Sequence, residues 1–206
     1  MREKWGMAAI DYAHLEPRSI ELVVPDSPLP LKAIASSYPG PWVRASNASG
    51  PGTHSSHGLV REWGIVCGTS SLGDLPRLVV TGNSALVQDR DDDGEVAAAP
   101  RLVIHGEAVL VKDREITGTW REANESSMVC MGICRGGQVL HVVATSACPS
   151  LMARFFVECG CTAALLVADG DACGLLVYGE RRLGQATTPV ASAIIVRDIL
   201  TAKKCF

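Results

Sequence analysis

Two apolar runs in the last third of the chain constrain the fold more than anything else in it. Gln138-Val139-Leu140-His141-Val142-Val143-Ala144 and Ala163-Ala164-Leu165-Leu166-Val167-Ala168 offer no alternating polar face to water, so each reads as a strand buried on both sides. Ser150 to Cys159 lies between them, carries Leu151, Phe155 and Phe156 on one side, and reads as a helix capped by Ser150 or Ser146 and stopped at Gly160. With strands outnumbering helices, the fold class expected is α+β.

The rest of the chain fits that expectation. Ile20 to Val24 is a short β-like run closed by the proline-rich Pro25 to Pro30, and Leu31 to Ser37 reads as a short helix ending before Pro39. Short β-rich runs follow at Trp63 to Cys67, Arg77 to Thr81, Ala85 to Gln88, Arg101 to His105 and Ala108 to Lys112, with a final strand at Ala191 to Val196. Val103 to Leu110, with Gly106 in its centre, reads as a hairpin, and Leu175 to Glu180 as the hairpin partner of the strand that ends at Ala168. No internal repeat or low-complexity linker divides the 206 residues, so residues 1–206 are expected to form a single domain with a mixed β-sheet and a few helices.

Composition narrows the function classes. At 47% hydrophobic and 20% charged, the chain is too apolar to remain disordered. Its formal charge is −3 and no basic cluster exceeds two adjacent residues, so the electrostatic footprint of a nucleic-acid binder is missing. No window reaches the ~18–20 apolar residues of a membrane span, and Met1 to Trp5 does not lead into a secretory leader. The eight cysteines (Cys67, Cys130, Cys134, Cys148, Cys159, Cys161, Cys173 and Cys205) are therefore expected as free thiols in a reducing, cytoplasmic setting. A small-molecule partner is expected, with neither nucleic acid nor membrane; assembly into a homo-oligomer stays open.

Chemistry-bearing residues fall in two places. Ser46 to Gly58 lacks apolar periodicity and reads as a loop that gathers Asn47, His54 and His57. The two histidines lack a third and fourth ligand at zinc spacing, so no metal or other cofactor is expected. The acidic stretch Asp89 to Glu95 resembles the start of a calcium loop but has Pro100 at the twelfth position, which leaves a solvated turn. The second place is the end of the buried strand, where Asp169 emerges at its carboxyl terminus and Gly170 permits a close backbone approach or a sharp turn. A plain Asp-Gly hairpin turn is the simpler alternative there. Cys173 reads as a buried thiol, with nucleophilic use requiring His54, His57 or His141 as a base. His141, among apolar neighbours, reads as a satisfied, half-buried histidine.

The order of these features resembles the phosphodiester glycosidase family. The segment from Leu151 to Gly184, with Ala168-Asp169-Gly170 at its centre, is similar to the family's block of helix, strand, Asp-Gly-Gly-Gly-Ser-Ser and strand. Ala45-Ser46-Asn47-Ala48-Ser49-Gly50 resembles its early asparagine element, and Pro100-Arg101-Leu102-Val103-Ile104-His105-Gly106-Glu107 resembles its Pro-x-Leu-Val-x-Asp-Gly hairpin. Cys130 to Ile133, with Gly136 to Val143, resembles its Arg-Thr-Ala-Ile-Gly-Ile segment and the strand that follows. There are departures: Asp171, Ala172, Cys173 and Gly174 stand where the family has two glycines and two hydroxyls, and Met128-Val129 stands where it has Arg-Thr. An added acid and a lost arginine disfavour a phosphate by ~1–3 kcal/mol per lost charged hydrogen bond.

The resemblance implies cleavage of an acetal-type bond, with Asp169 as acid/base or nucleophile and Asp171 as the second carboxylate that glycoside cleavage usually employs. It implies a sugar-phosphate or nucleotide-like ligand contacted by Asn47, His54, His57, Gly170 and Cys173. The rival expectation is a non-enzymatic binder on the same fold, sequestering a nucleotide-derived signal as some small proteins of viral or mobile-element origin do; a structural subunit is a third.

Overall fold

The computed structural model describes residues 2–5, 8–48, 60–62, 65–67, 75–89, 100–118 and 125–198. The first part of the chain supplies strands β1 (Arg2–Trp5), β2 (Ala8–Leu15) and β3 (Ile20–Val23), the two-residue β4 (Leu29–Pro30), helix α1 (Leu31–Ser37) and β5 (Trp42–Asn47). The middle supplies β6 (Val60–Glu62), β7 (Ile65–Cys67), β8 (Arg77–Thr81), β9 (Ser84–Gln88), β10 (Leu102–His105), β11 (Ala108–Lys112) and β12 (Glu115–Ile116). The last part supplies β13 (Ser126–Cys134), β14 (Val139–Ala147), helix α2 (Pro149–Glu158), β15 (Cys161–Asp169), β16 (Gly174–Val177), β17 (Glu180–Gly184), β18 (Pro189–Val190) and β19 (Ala193–Arg197).

These elements form an α+β domain dominated by β-sheet. A seven-stranded sheet runs β1-β2-β14-β13-β15-β11-β12, a five-stranded sheet runs β17-β16-β5-β19-β3, and β10-β8-β9 forms a third. Every described pairing is antiparallel, where the sequence reading expects a mixed sheet. The reason lies in β13: it inserts between β14 and β15, so the two apolar runs share a direction without pairing to each other.

The core has three parts that account for the layers. Leu165, Val167, Met131 and Val143 of the large sheet pack against Leu175, Ile194 and Val196 of the five-stranded sheet, with Leu78 and Ile104 of the small sheet closing the same cluster. On the other side of the large sheet, Phe155, Phe156 and Met152 of α2 cover Cys130, Leu140 and Leu166. On the outer face of the five-stranded sheet, Leu31, Ile34 and Ala35 of α1 cover Ala45, Leu176 and Ile195. The doubly covered strands β14 and β15 are the two runs that lack a polar face in the sequence, and β13, which the sequence reading does not identify as a strand, lies covered between them.

Helix α2 spans Pro149–Glu158, one residue earlier than expected, and Phe155 and Phe156 are buried as read. Its N-cap is Cys148, with no side-chain capping bond; Ser146 instead takes a left-handed φ of 53° and Ser150 sits inside the first turn. Gly132 lies under the helix: a Cβ there would come within 2.5 Å of the Phe156 ring, so only glycine lets the helix seat this closely. Both expected hairpins are replaced by crossings between sheets. β10 pairs with β8 while β11 pairs with β15, and β16 pairs with β17 and β5 rather than with β15.

A polar network sits inside the sandwich. Arg44 Nη1 donates to Asp11 Oδ1 at 2.7 Å, Arg44 Nε reaches His141 Nδ1 at 3.4 Å, and His141 Nε2 lies 2.9 Å from Ser46 Oγ. With Nδ1 facing an arginine donor, the imidazole proton belongs on Nε2 and is donated to Ser46. Burial, and then the Arg44 charge, hold the His141 pKa well below its usual value, so this Ser-His pair is a structural contact and not an activated nucleophile. His141 is fully buried rather than half-buried, and satisfied as expected.

Asp11 and Arg44 are each only 8% exposed, and removing one partner strands a buried charge. Asp11→Ala is expected to cost about 3 kcal/mol, while the double change Asp11→Leu with Arg44→Met costs less than the single one, read from urea-denaturation midpoints.

Candidate carboxyl site at the end of strand β15

The site forms where two chain passages, one leaving the large sheet and one entering it, lie side by side. At the first, β15 ends in Asp169 and the chain turns at Gly170, whose φ of 99° favours glycine. The Gly170 N–H donates to Ser127 O at 2.9 Å and the Cys173 N–H to Gly170 O at 3.0 Å, so the turn is tied to β13 and to itself. It delivers the chain into β16 of the other sheet. Asp169-Gly170 is therefore a sheet-to-sheet crossing rather than a hairpin tip.

At the second passage, Gly106 and Glu107 carry the chain from β10 to β11. The Glu107 N–H donates to Leu166 O at 2.8 Å and the Gly106 N–H to Pro76 O at 2.8 Å. A Cβ on Gly106 would lie 2.4 Å from Leu166 O, so glycine is what allows this strand exit to lie against β15. The result is that Glu107 stands beside Asp169.

Glu107 is the residue that the sequence reading missed. Burial, followed by the Asp169 charge, raises its pKa from 4.5 to about 7, and its side chain shares a hydrogen bond with the Asp169 carboxyl. The Asp169 backbone also hydrogen-bonds the Glu107 carboxylate, which opposes the shift. Near neutrality Glu107 thus holds a proton at Asp169 that it can give away, which is the state required of a general acid.

The other predicted residues divide clearly. Asn47 is fully buried: its Oδ1 accepts from the Gly174 N–H at 3.0 Å and its Nδ2 donates to Cys173 Sγ at 3.4 Å, which fixes the return of the chain after the turn. Cys173 is fully buried, and burial pushes its thiol up to about 12, with the Asp169 and Glu107 charges adding to the shift and the Asn47 contact opposing it. That matches the reading of a structural thiol. Cys130 behind the site is raised well above its usual value, by burial first and then by Cys173, Glu107 and Asp169.

Asp171 is exposed on the turn, whereas Asp169 is half-buried, so the carboxyl that Asp169 meets is Glu107. Met128, in the place of the family's arginine, is the cross-strand partner of Asp169 and is 1% exposed, leaving an apolar neighbour there. His54 and His57 lie outside the described residues, as does most of the loop read from Ser46 to Gly58; Ser46 and Asn47 themselves belong to β5. Among the described residues no group of three or more His, Cys, Asp or Glu side chains is arranged to hold a metal ion. A cavity of about 280 Å³ bordered by Tyr38, Pro41 and Arg197 lies at the opposite end of β5 from Asn47.

The catalytic domain of zebrafish N-acetylglucosamine-1-phosphodiester alpha-N-acetylglucosaminidase, auto-inhibited by its pro-peptide, superposes with a TM-score of 0.73 at 13% identity, covering 93% of this chain and 76% of that one. The fold is similar to that of this glycosidase domain. A hypothetical protein from Synechocystis (TM-score 0.60, 14% identity, 96% and 61% covered) and a Burkholderia pseudomallei K96243 protein (0.64, 10%, 92% and 74%) are similar as well. No protein-family model and no curated protein matches the sequence. At such identities the likeness is one of fold, and the resemblance read from the order of motifs stands at that level.

The Glu107 shift has a stability consequence. Because the folded pKa lies above the ordinary value, its contribution is present below about pH 4.5 and lost as pH rises through about 7. Discounted for partial solvent contact, the loss is on the order of 1–2 kcal/mol. Glu107→Gln is expected to remove that part of the decline, so that its stability relative to wild type improves from pH 5 to pH 8 in thermal-denaturation series.

Proposed function

We propose that the chain is a glycosidase-like hydrolase that binds a small sugar-phosphate or nucleotide-like molecule at the Asp169–Glu107 pair and cleaves its glycosidic bond. The observation that carries this reading is the meeting of the Glu107 and Asp169 carboxyls where two chain crossings between sheets lie side by side, with burial raising Glu107 to about 7. In the proposed reaction Glu107 donates its proton to the leaving oxygen, and Asp169 faces the positive charge that develops at the sugar carbon. Asp171, exposed beside them, is assigned to substrate hydroxyls rather than to chemistry.

Local charge supports a particular orientation of the ligand. Three acidic residues lie at or next to the site, and Met128 stands opposite Asp169. An anionic phosphate placed directly on the pair would meet repulsion without a compensating cation from that strand position. The uncharged sugar ring is therefore the part of the ligand set against the carboxyls, with any phosphate held farther out.

One feature favours the rival reading of a non-enzymatic binder. The carboxyls of glycosidases stand roughly 5–5.5 Å apart in retaining and 6.5–9.5 Å apart in inverting enzymes, whereas hydrogen-bonded carboxyls are closer. For hydrolysis, substrate entry has to part the pair. Mass spectrometry of ligand released from heat-denatured protein separates the readings, an intact molecule supporting sequestration and a cleaved product supporting catalysis.

Purified protein is expected to turn over a nitrophenyl glycoside or a sugar phosphodiester. Asp169→Asn should abolish turnover and Glu107→Gln should lower kcat by about 10²–10⁴-fold, while Asp171→Asn acts mainly on KM. The wild-type kcat/KM should fall as pH rises past about 7, where Glu107 loses its proton, and that limb should vanish from the residual activity of Glu107→Gln. Turnover indifferent to both Asp169 and Glu107 would overturn the assignment.

A further inference from the structure

At the opposite end of β15 from Asp169, roughly 27 Å away along the strand, lies a second cluster of reactive groups that the carboxyl chemistry does not use. Cys134, the last residue of β13, is the cross-strand partner of Cys161, the first residue of β15, just past a register shift between Ile133 and Cys134. Their sulfur atoms are 3.3 Å apart, and His14 Nδ1 of β2 lies 3.8 Å from Cys134 Sγ. Cys161 is fully buried and Cys134 is 8% exposed, so the pair borders solvent on the Cys134 side.

We propose that Cys134 and Cys161, with His14 beside them, form a peroxide-reactive dithiol that closes reversibly to a disulfide. Directly opposed residues on antiparallel strands have Cα atoms about 4.5–5.5 Å apart, inside the 4.4–6.8 Å that a disulfide spans. Bond formation needs the sulfurs to approach by about 1.3 Å, which side-chain rotation can supply. Two thiolates on a tetrahedral zinc would stand roughly 3.8 Å apart, wider than the 3.3 Å between these sulfurs, so the spacing suits a disulfide better than a metal.

The roles of the two sulfurs differ. His14 lies beside Cys134 and not Cys161, and the contact with Cys161 first, then His14, outweigh burial and lower the Cys134 thiol, so the shared proton of the pair is assigned to Cys161. Cys161 is pushed upward, first by its contact with Cys134 and then by burial, and keeps its proton. Cys134 thiolate attacks one oxygen of a hydroperoxide, breaking the O–O bond and giving a sulfenic acid and an alkoxide or hydroxide that takes up a proton. The Cys161 sulfur then attacks the sulfenic sulfur, the S–S bond forms and water leaves. Two thiols lose two electrons in all and the hydroperoxide gains them; a small thiol reductant restores the pair by exchange.

The test uses the reduced full-length chain treated with a small excess of hydrogen peroxide, then with iodoacetamide, and digested for mass spectrometry with fragmentation. The result expected is a linked peptide pair carrying Cys134 and Cys161, roughly 2 Da lighter than the two thiol peptides together and released by dithiothreitol. In Cys161→Ser, dimedone should trap a sulfenic acid at Cys134, and in His14→Gln the reaction of Cys134 with peroxide should slow about tenfold. The proposal is overturned if both residues remain alkylatable while other cysteines oxidise, or if wild-type Cys134 runs on to sulfinic acid with Cys161 still a thiol. Because the variants touch neither Glu107 nor Asp169, failure here and failure of the hydrolase reading are separately visible.

Discussion

Strand β13 is the element on which the rest of the structure depends. It pairs with β14 on one side and β15 on the other along almost its whole length, and seven of its nine residues are buried. A strand in that position must be apolar on both faces, and it must have a helix above and a second sheet below to keep its neighbours out of water. Phe155 and Phe156 supply the first cover, and the Leu175–Ile194 face of the five-stranded sheet supplies the second. Gly132 then sets how deeply the helix can sit, since an added methyl would strike the Phe156 ring. The Asp11–Arg44–His141–Ser46 network lies in the same interface. It contributes specific cross-sheet contacts rather than net stability, because buried ion pairs seldom repay their desolvation.

Two covered faces leave the chain few ways out of the large sheet, and the candidate site follows from that restriction. The chain enters the large sheet through Gly106-Glu107 and leaves it through Asp169-Gly170, both beside Leu166 and Asp169 and each relying on a glycine for close approach or for a left-handed turn. Glu107 and Asp169 are brought together by these crossings and not by proximity in sequence. Asn47 closes the arrangement from the second sheet by bonding Gly174 and Cys173, so the turn after Asp169 is held at both ends. A carboxyl pair on such a support keeps its geometry at low entropic cost, which is what proton transfer at a fixed position requires.

Much of this was legible in the sequence, and the failures have a common cause. The runs at 139–144 and 163–168, helix α2, helix α1 and the emergence of Asp169 at a strand end could all be read from apolar periodicity and turn residues, which are local signals. Strand pairing is not local. Val103 to Leu110 and Val167 to Leu175 carry the glycine-centred pattern of a hairpin, yet each divides between two sheets, because β15 and β5 offer better partners than the neighbouring strand does. Glu107 was hidden by that error: on a hairpin tip it would be one more solvated acid. Ser46 and Asn47 were read as loop because the polar stretch after them overshadowed Trp42–Asn47, a strand whose interior-facing polar side chains find partners in His141 and Asp11. The pattern of a polar strand facing a polar network is invisible until the opposite sheet is in place.

Strand β15 carries an acid at one end and a thiol at the other, and the two ends show why burial by itself does not make a reactive group. At the Asp169 end, burial raises Glu107, Cys173 and Cys130 alike, so all three favour their neutral forms. Only Glu107 gains a chemical use from this, because a neutral carboxyl has a proton to donate near neutrality whereas a neutral thiol is a poor nucleophile. At the Cys161 end the same desolvation acts on Cys134, and there a hydrogen-bond donor and an imidazole outweigh it. Cys173 also has a donor, the Asn47 amide, but at 3.4 Å that bond does not offset its burial beside two carboxyls. The difference between Cys173 and Cys134 therefore lies in what stands against burial: Cys173 has one long amide contact beside two carboxyls, whereas Cys134 has the Cys161 sulfur first and then His14.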